Sequence, residues 1–167
     1  HRNNKRLCIV VGGPSKHYSL DQKIVLNEIE ELIDSFTEGE ILISNSPRSP
    51  EKLSEKLSKT YPSHFIDWKK MHSGEIQSLF AQSTHIWVTE DSISMIFDAL
   101  SSGAQVGLLT STRKKETKVS KEIQSLLKDQ FLTNIKDWRN TKNMKPSPLL
   151  NESDRCAHII LAKMGRI

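Results

Sequence analysis

Residues 88–106 read Val88-Thr89-Glu90-Asp91-Ser92-Ile93-Ser94-Met95-Ile96-Phe97-Asp98-Ala99-Leu100-Ser101-Ser102-Gly103-Ala104-Gln105-Val106. An apolar run ends in a hydroxyl-rich turn. An amphipathic stretch follows, closes on Gly103, and an apolar run resumes. The pattern is strand, loop, helix, strand. The loop sets Thr89, Asp91, Ser92 and Ser94 at a helix N-terminus, where free backbone N–H groups and the helix dipole favour an anion. Asp98 lies nearly two helical turns past Ser92 on a similar face, where its carboxylate can accept hydrogen bonds from sugar hydroxyls.

Upstream, Leu7 to Val11 is an unbroken apolar run, as expected of a strand buried on both faces. Gly12-Gly13-Pro14-Ser15 breaks it. Asp21 is placed to cap a helix running to about Phe36, with Ile24, Val25, Glu28, Ile29, Leu32 and Ile33 giving the helical period. Glu40 to Ser44 reads as the second strand. Ser49-Pro50-Glu51 starts a helix with Leu53 and Leu57 inward. Ser63 to Trp68 reads as the third strand, and Glu75 to Gln82 as a short helix. His85 to Thr89 is the fourth strand, Ser92 to Ser102 the next helix, and Gln105 to Thr110 the fifth strand. A helix over about Ser120 to Leu132 follows, then a less regular stretch with Pro146 and Pro148. A last helix is expected from about Glu152 to Met164.

Strand and helix therefore alternate, which calls for a mostly parallel sheet of five or six strands with helices on both faces, an α/β Rossmann-like three-layer domain. In such sheets ligands bind outside the C-terminal strand ends, where strand order reverses. Four loops meet that description: 12–21, 44–49, 67–75 and 89–94. In the first, paired Gly12 and Gly13 let backbone approach a phosphate closely, with Ser15 beside them and Lys16 to neutralise charge. A tight turn leaving a buried strand explains the same glycines. In the second, Arg48 suits bidentate contact with a phosphate or carboxylate, against the plainer reading of a helix capped by Ser49 with Arg48 in solvent. In the third, Trp68 either packs or stacks on a base. GxGxxG and GxxxxGK[ST] are both absent.

The 167 residues suit one domain. A chain of this length buries roughly two-thirds of its unfolded surface. Because it starts at His1, residues 1–5 are expected to be a linker or tag remnant, with residues 6–167 one half of a longer protein. The net charge of +4 falls short of a dedicated nucleic-acid binder, so no nucleic-acid partner is expected. Two basic clusters stand out, Arg113-Lys114-Lys115 with Lys118, and Lys136 through Lys145. They read as solvated surface or as an anionic contact. Cys8 and Cys156 are expected to be buried free thiols, which suits a reducing, cytoplasmic compartment. No membrane-spanning segment and no metal-ligand spacing is visible, and no nucleophile elbow or triad appears. The catalytic residues are therefore unassigned, and neither metal nor cofactor is expected.

Three strings carry a family resemblance: Val10-Val11-Gly12-Gly13-Pro14-Ser15-Lys16-His17-Tyr18, Ser44-Asn45-Ser46-Pro47-Arg48-Ser49-Pro50, and Val88-Thr89-Glu90-Asp91-Ser92-Ile93-Ser94-Met95. Together with Trp138 and Pro148-Leu149 they resemble the mitochondrial-fission Elm-like family over nearly the whole chain. That family looks like the GT-B glycosyltransferase architecture of two Rossmann-like domains facing a cleft, and this chain resembles its C-terminal, donor-binding half. The resemblance implies that Gly12, Gly13, Ser92 and Ser94 face the pyrophosphate of a nucleotide-sugar. It also implies that Asp98, standing where Glu is usual, faces the ribose. Pro47-Arg48 stands where the family has paired arginines.

The expected role is therefore nucleotide-sugar binding in a glycosyltransferase-like protein. Its site residues are Gly12, Gly13, Ser15, Lys16, Arg48, Thr89, Ser92, Ser94 and Asp98, and its partners are a nucleoside diphosphate-sugar and an N-terminal domain of the same protein. Whether the chain is an enzyme is left open. If it is, the catalytic base is expected in the other half and this piece alone is expected to be inactive. Two alternatives stand beside this reading. One is a non-enzymatic adaptor in peripheral contact with a membrane, using the basic residues of 113–118. The other is a sugar-nucleotide epimerase.

Overall fold

The computed structural model describes residues 4–146. In chain order they form β1 (Arg6–Val10), β2 (Tyr18–Ser19), α1 (Gln22–Ser35), β3 (Glu40–Ser44), α2 (Glu51–Thr60), β4 (Phe65–Ile66), a 3₁₀ turn (Trp68–Lys70), α3 (Glu75–Gln82), β5 (His85–Thr89), α4 (Ile93–Ser101), β6 (Gln105–Leu109), β7 (Thr112–Arg113), α5 (Lys118–Lys128), β8 (Thr133–Asn134) and α6 (Ile135–Thr141).

The sheet is organised around β1, whose apolar run is hydrogen-bonded on both sides. Cys8 stands opposite Leu42 of β3 and Ile86 of β5, both parallel. The order across the sheet is β4-β3-β1-β5-β6-β8, and every pairing in it is parallel. Order therefore reverses between β1 and β5, as in doubly wound folds. Alternate residues of β1 feed two separate cores. Cys8 and Val10 meet Phe80 of α3, Ile96 and Leu100 of α4 and Ile123 of α5. Leu7 and Ile9 face the other way, toward Val25 and Ile29 of α1, Leu53 and Leu57 of α2 and Trp138 of α6. The result is three layers, the expected Rossmann-like arrangement.

Side-chain caps start α1, α5 and α6, whereas α2, α3 and α4 begin without one. Asp21 caps α1 by accepting from the amides of Lys23 and Ile24. Thr117 and Ser120 form a reciprocal capping box that starts α5 two residues before the expected Ser120. Ser49 does not cap α2, against expectation. Its hydroxyl donates to the Val11 carbonyl and accepts from the Ser46 amide instead, while Pro50 takes the N-cap position without a side-chain bond. Ile24 also departs from the helical stripe and is exposed. Glu28, on the inward face, is fully buried. It accepts from the Thr110 amide at 2.8 Å and the Thr110 hydroxyl at 2.5 Å, with Arg139 3.6 Å away. That is how a carboxylate is tolerated in this core.

Three features differ from the sequence reading. The third strand shrinks from Ser63–Trp68 to the two residues of β4, because a turn at its start and the 3₁₀ turn at its end take the rest. The stretch after α5 holds a sixth strand, β8, and α6. Both are too short to carry a readable period. Finally, β2 and β7 pair antiparallel in a two-residue ribbon separate from the main sheet. The helix expected over Glu152–Met164, and Cys156 within it, lie outside the described residues. Cys8 is a free, buried thiol as expected, and burial pushes its pKa up to about 12.

Two outcomes test this packing. Gly107 of β6 stands opposite Trp87 of β5, and a Cβ there would meet the indole at 2.5 Å. Gly107→Ala is expected to cost about 1–3 kcal/mol through overpacking, measured by urea unfolding. In a Cys156→Ser background, Cys8 is expected to react with a thiol reagent only at the rate of global unfolding.

Candidate functional site

The four loops singled out in the sequence all leave C-terminal strand ends, and three of them are tied together at the point where strand order reverses. Thr89, the last residue of β5, is fully buried and accepts the Gly12 amide at 2.7 Å. Asp91 reaches across to the same turn, and its Oδ2 accepts the Gly13 amide at 3.2 Å. The same oxygen takes an ion pair from Arg48 Nη2 at 2.8 Å. Ser49 adds the bond to Val11 described above. The loops after β1, β3 and β5 thus meet on a single carboxylate.

This convergence explains both glycines. A Cβ on Gly12 would run into the Asp91 carboxylate, and one on Gly13 into the Arg48 carbonyl. The close approach serves neighbouring loops of the protein, and the two amides already have acceptors. The side chain of Asp91 is 1% exposed, whereas that of Arg48 is 47% exposed and reaches the mouth from solvent. Asp91 Oδ1 is buried and has no hydrogen-bond partner.

The ribbon of β2 and β7 lies beside this cluster. Arg113 holds Glu90 through contacts of 2.6 Å from both Nε and Nη2, and the Tyr18 hydroxyl donates to the same oxygen at 3.4 Å. Burial and the neighbouring Glu90 raise the Tyr18 pKa. Ser15 is committed to the turn before β2, where its hydroxyl accepts from the His17 and Tyr18 amides. Lys114 Nζ donates to the Ser15 carbonyl at 3.2 Å. Lys16 is exposed. Within the basic cluster, Arg113 and Lys114 are therefore structural members of the ribbon.

Helix α4 starts at Ser92, whose hydroxyl makes no capping bond. Ser94, the second residue of the helix, is exposed. Asp98 sits further along α4 and accepts from Gln77 Nε2 at 3.0 Å. Gln77 belongs to the wall of a cavity of about 330 Å³, shared with Val10, Asn45, Trp68, Met71 and Met95. Asn45 shapes that wall. Its Oδ1 accepts the Trp68 amide at 2.8 Å, and its Nδ2 donates to Ser54 at 3.0 Å. A second cavity, of about 360 Å³, lies at the opposite end of the sheet against Lys5, His85, Trp87 and Trp138. It touches none of the candidate loops.

The expected site residues thus fall in three places. Gly12, Gly13, Arg48 and Thr89 form one cluster, joined by the first turn of α4 with Ser92 and Ser94. Ser15 and Lys16 belong to the ribbon. Asp98 stands by the cavity. Asp91, Asn45 and Gln77 complete the picture. Asp91 and Asn45 carry a signal in the sequence, Asn45 being the polar residue directly after β3 and Asp91 the second residue after β5. Gln77 carries none, because it is one polar residue on the exposed face of α3.

Fold and mouth together define a doubly wound α/β domain with a polar, loop-built opening at its switch point. The family model for mitochondrial fission ELM1 matches residues 1–164, and the chain belongs to that family. No curated protein matches it. Among the described residues no helix is long and apolar enough to cross a membrane.

The Thr89–Gly12 bond gives a direct test of this construction. Thr89→Val keeps the shape and leaves a buried amide without an acceptor. A loss of about 1–3 kcal/mol is expected in urea unfolding, with Thr89→Ser retaining most of the stability.

Proposed function

We propose that this domain binds a nucleoside diphosphate-sugar and forms the donor half of a glycosyltransferase-like protein. The observation that carries the reading is the 330 Å³ cavity beside the switch point, with Trp68 and Met71 on its wall and the Gln77–Asp98 pair at its side. Its size and mixed lining suit a base and ribose. Asp98 is the acceptor for ribose hydroxyls, released from Gln77 or shared with it. The first turn of α4 has no side-chain cap, so its main-chain amides suit a diphosphate, and Arg48 is a cation for the same group. Positive charge and helix amides of this kind can stabilise a departing diphosphate. The base that activates an acceptor belongs, on this reading, to another domain.

The adaptor reading has less behind it. Arg113 and Lys114, the centre of its basic patch, are engaged by Glu90 and Ser15 within the ribbon. An epimerase needs an acid and a base facing one ligand carbon, and the described mouth offers no such pair.

The test is a thermal-shift screen of the chain against uridine, guanosine, adenosine and cytidine diphosphates. A ligand of the folded state stabilises by RT ln(1 + [L]/Kd), about 2.7 kcal/mol at one hundred times Kd. One nucleotide is expected to raise Tm, with Asp98→Ala weakening it about tenfold, as for one lost charge-assisted hydrogen bond. Trp68 fluorescence should report the same binding and be silent in Trp68→Phe. A screen without any shift, or a shift indifferent to Asp98, contradicts the reading.

A further inference from the structure

The cradle of Gly12, Gly13 and Arg48 is the natural place for a phosphate, yet it is already filled. The Asp91 carboxylate accepts the Gly13 amide and pairs with Arg48 through the same oxygen. It occupies the space a side chain on Gly12 would need. An anion entering there meets one negative charge and a cation that is already neutralised. We propose that Asp91 is the specificity-determining residue of this mouth. It is an internal anion that a ligand phosphate must displace, so that Arg48 and the Gly13 amide pass from carboxylate to phosphate. The inference deepens the donor-binding reading and rests on it for the identity of the natural ligand.

Two observations make the exchange physically reasonable. First, the carboxylate is held on one side only. Oδ2 has both partners, whereas Oδ1 is buried with none, and a buried unsatisfied oxygen is costly to keep. The closed arrangement is thus stabilised less than a fully bonded buried carboxylate would be. Second, the two members of the pair differ in access. Asp91 is sealed, but Arg48 is 47% exposed and Nη2 is its one atom on Asp91. A phosphate can engage the guanidinium from solvent before the carboxylate gives way.

The consequence is a conditional site. Affinity for a phosphate is reduced by the fraction of time that the cradle is empty. Neutral or singly charged ligands gain little here, because they cannot outcompete the carboxylate on Arg48. A diphosphate can, since it presents more charge and two groups of oxygens. Asp91 therefore sets a threshold in ligand charge. It also keeps the three loops in register when no ligand is bound.

Asp91→Asn separates this from a purely structural role. The amide oxygen can still accept from Gly13, while the ion pair with Arg48 is lost. Inorganic pyrophosphate is the probe, titrated by calorimetry into the wild-type chain, Asp91→Asn, Arg48→Ala and the double variant. Removing a like charge at hydrogen-bond distance from the incoming anion is expected to tighten pyrophosphate binding by about tenfold or more. Arg48→Ala is expected to weaken binding and to abolish the gain in the double variant. A merely structural Asp91 would give weaker binding together with lower stability. If Asp91→Asn does not fold, Asp91→Ser takes its place, with a hydroxyl to accept from Gly13.

Equal or weaker pyrophosphate binding in the folded variant overturns the inference, and so does an absence of binding in every chain. Nucleoside diphosphate binding that depends on Asp98 but does not tighten on Asp91→Asn sinks this inference and leaves the donor reading intact. Pyrophosphate binding gained in Asp91→Asn, with no nucleotide binding through Asp98, does the reverse.

Discussion

One carboxylate holds the mouth of this sheet together. Asp91 bonds to the turn after β1 and to the loop after β3 while standing in the loop after β5. Close approach of three loops requires glycine at positions 12 and 13, since side chains there would strike Asp91 and the Arg48 carbonyl. It also leaves Gly12 dependent on the buried Thr89 hydroxyl. The strand ends beneath are rigid, because β1 and β5 are buried on both faces and paired throughout. The mouth therefore inherits its geometry from the sheet and its closure from a single charge.

That arrangement gives the loop residues two roles. The glycines, Thr89 and Asp91 first make the protein's own contacts, and any ligand has to work within or against them. Beside them the cavity by Trp68 carries no such internal occupant, and its wall is shaped by Asn45 holding the Trp68 turn. A ligand with an uncharged ring system and an anionic tail would meet two unlike environments a few residues apart. A nucleoside diphosphate has that character, which is why the cavity and the cradle are read together.

Much of the fold was legible because long, strongly patterned segments dominate it. The apolar runs of β1, β5 and β6 and the periodic face of α1 placed themselves. What escaped is short or depends on distant partners. β8 is two residues long, and the ribbon of β2 and β7 forms only once chain segments far apart in sequence meet. Ser49 looks like a helix cap beside Pro50, but a tertiary bond to Val11 outbids the local one. Glu28 fits the inward stripe by spacing alone, and only the structure supplies the Thr110 partners that make its burial tolerable. At the strand ends, polar residues pointed to loops that the structure ties to one another. The occupancy of the glycine amides by Thr89 and Asp91 was not legible, because no local pattern says which of several nearby acceptors wins.

The proposed function requires that a ligand enter at the switch point. Amide chemical-shift mapping of the labelled chain with a nucleoside diphosphate reads this directly. The account predicts perturbations confined to residues around Gly13, Arg48, Trp68, Gln77 and Ser92 to Asp98. Perturbations centred on the far end of the sheet, around His85 and Trp138, or none with any of the four nucleotides, would contradict it.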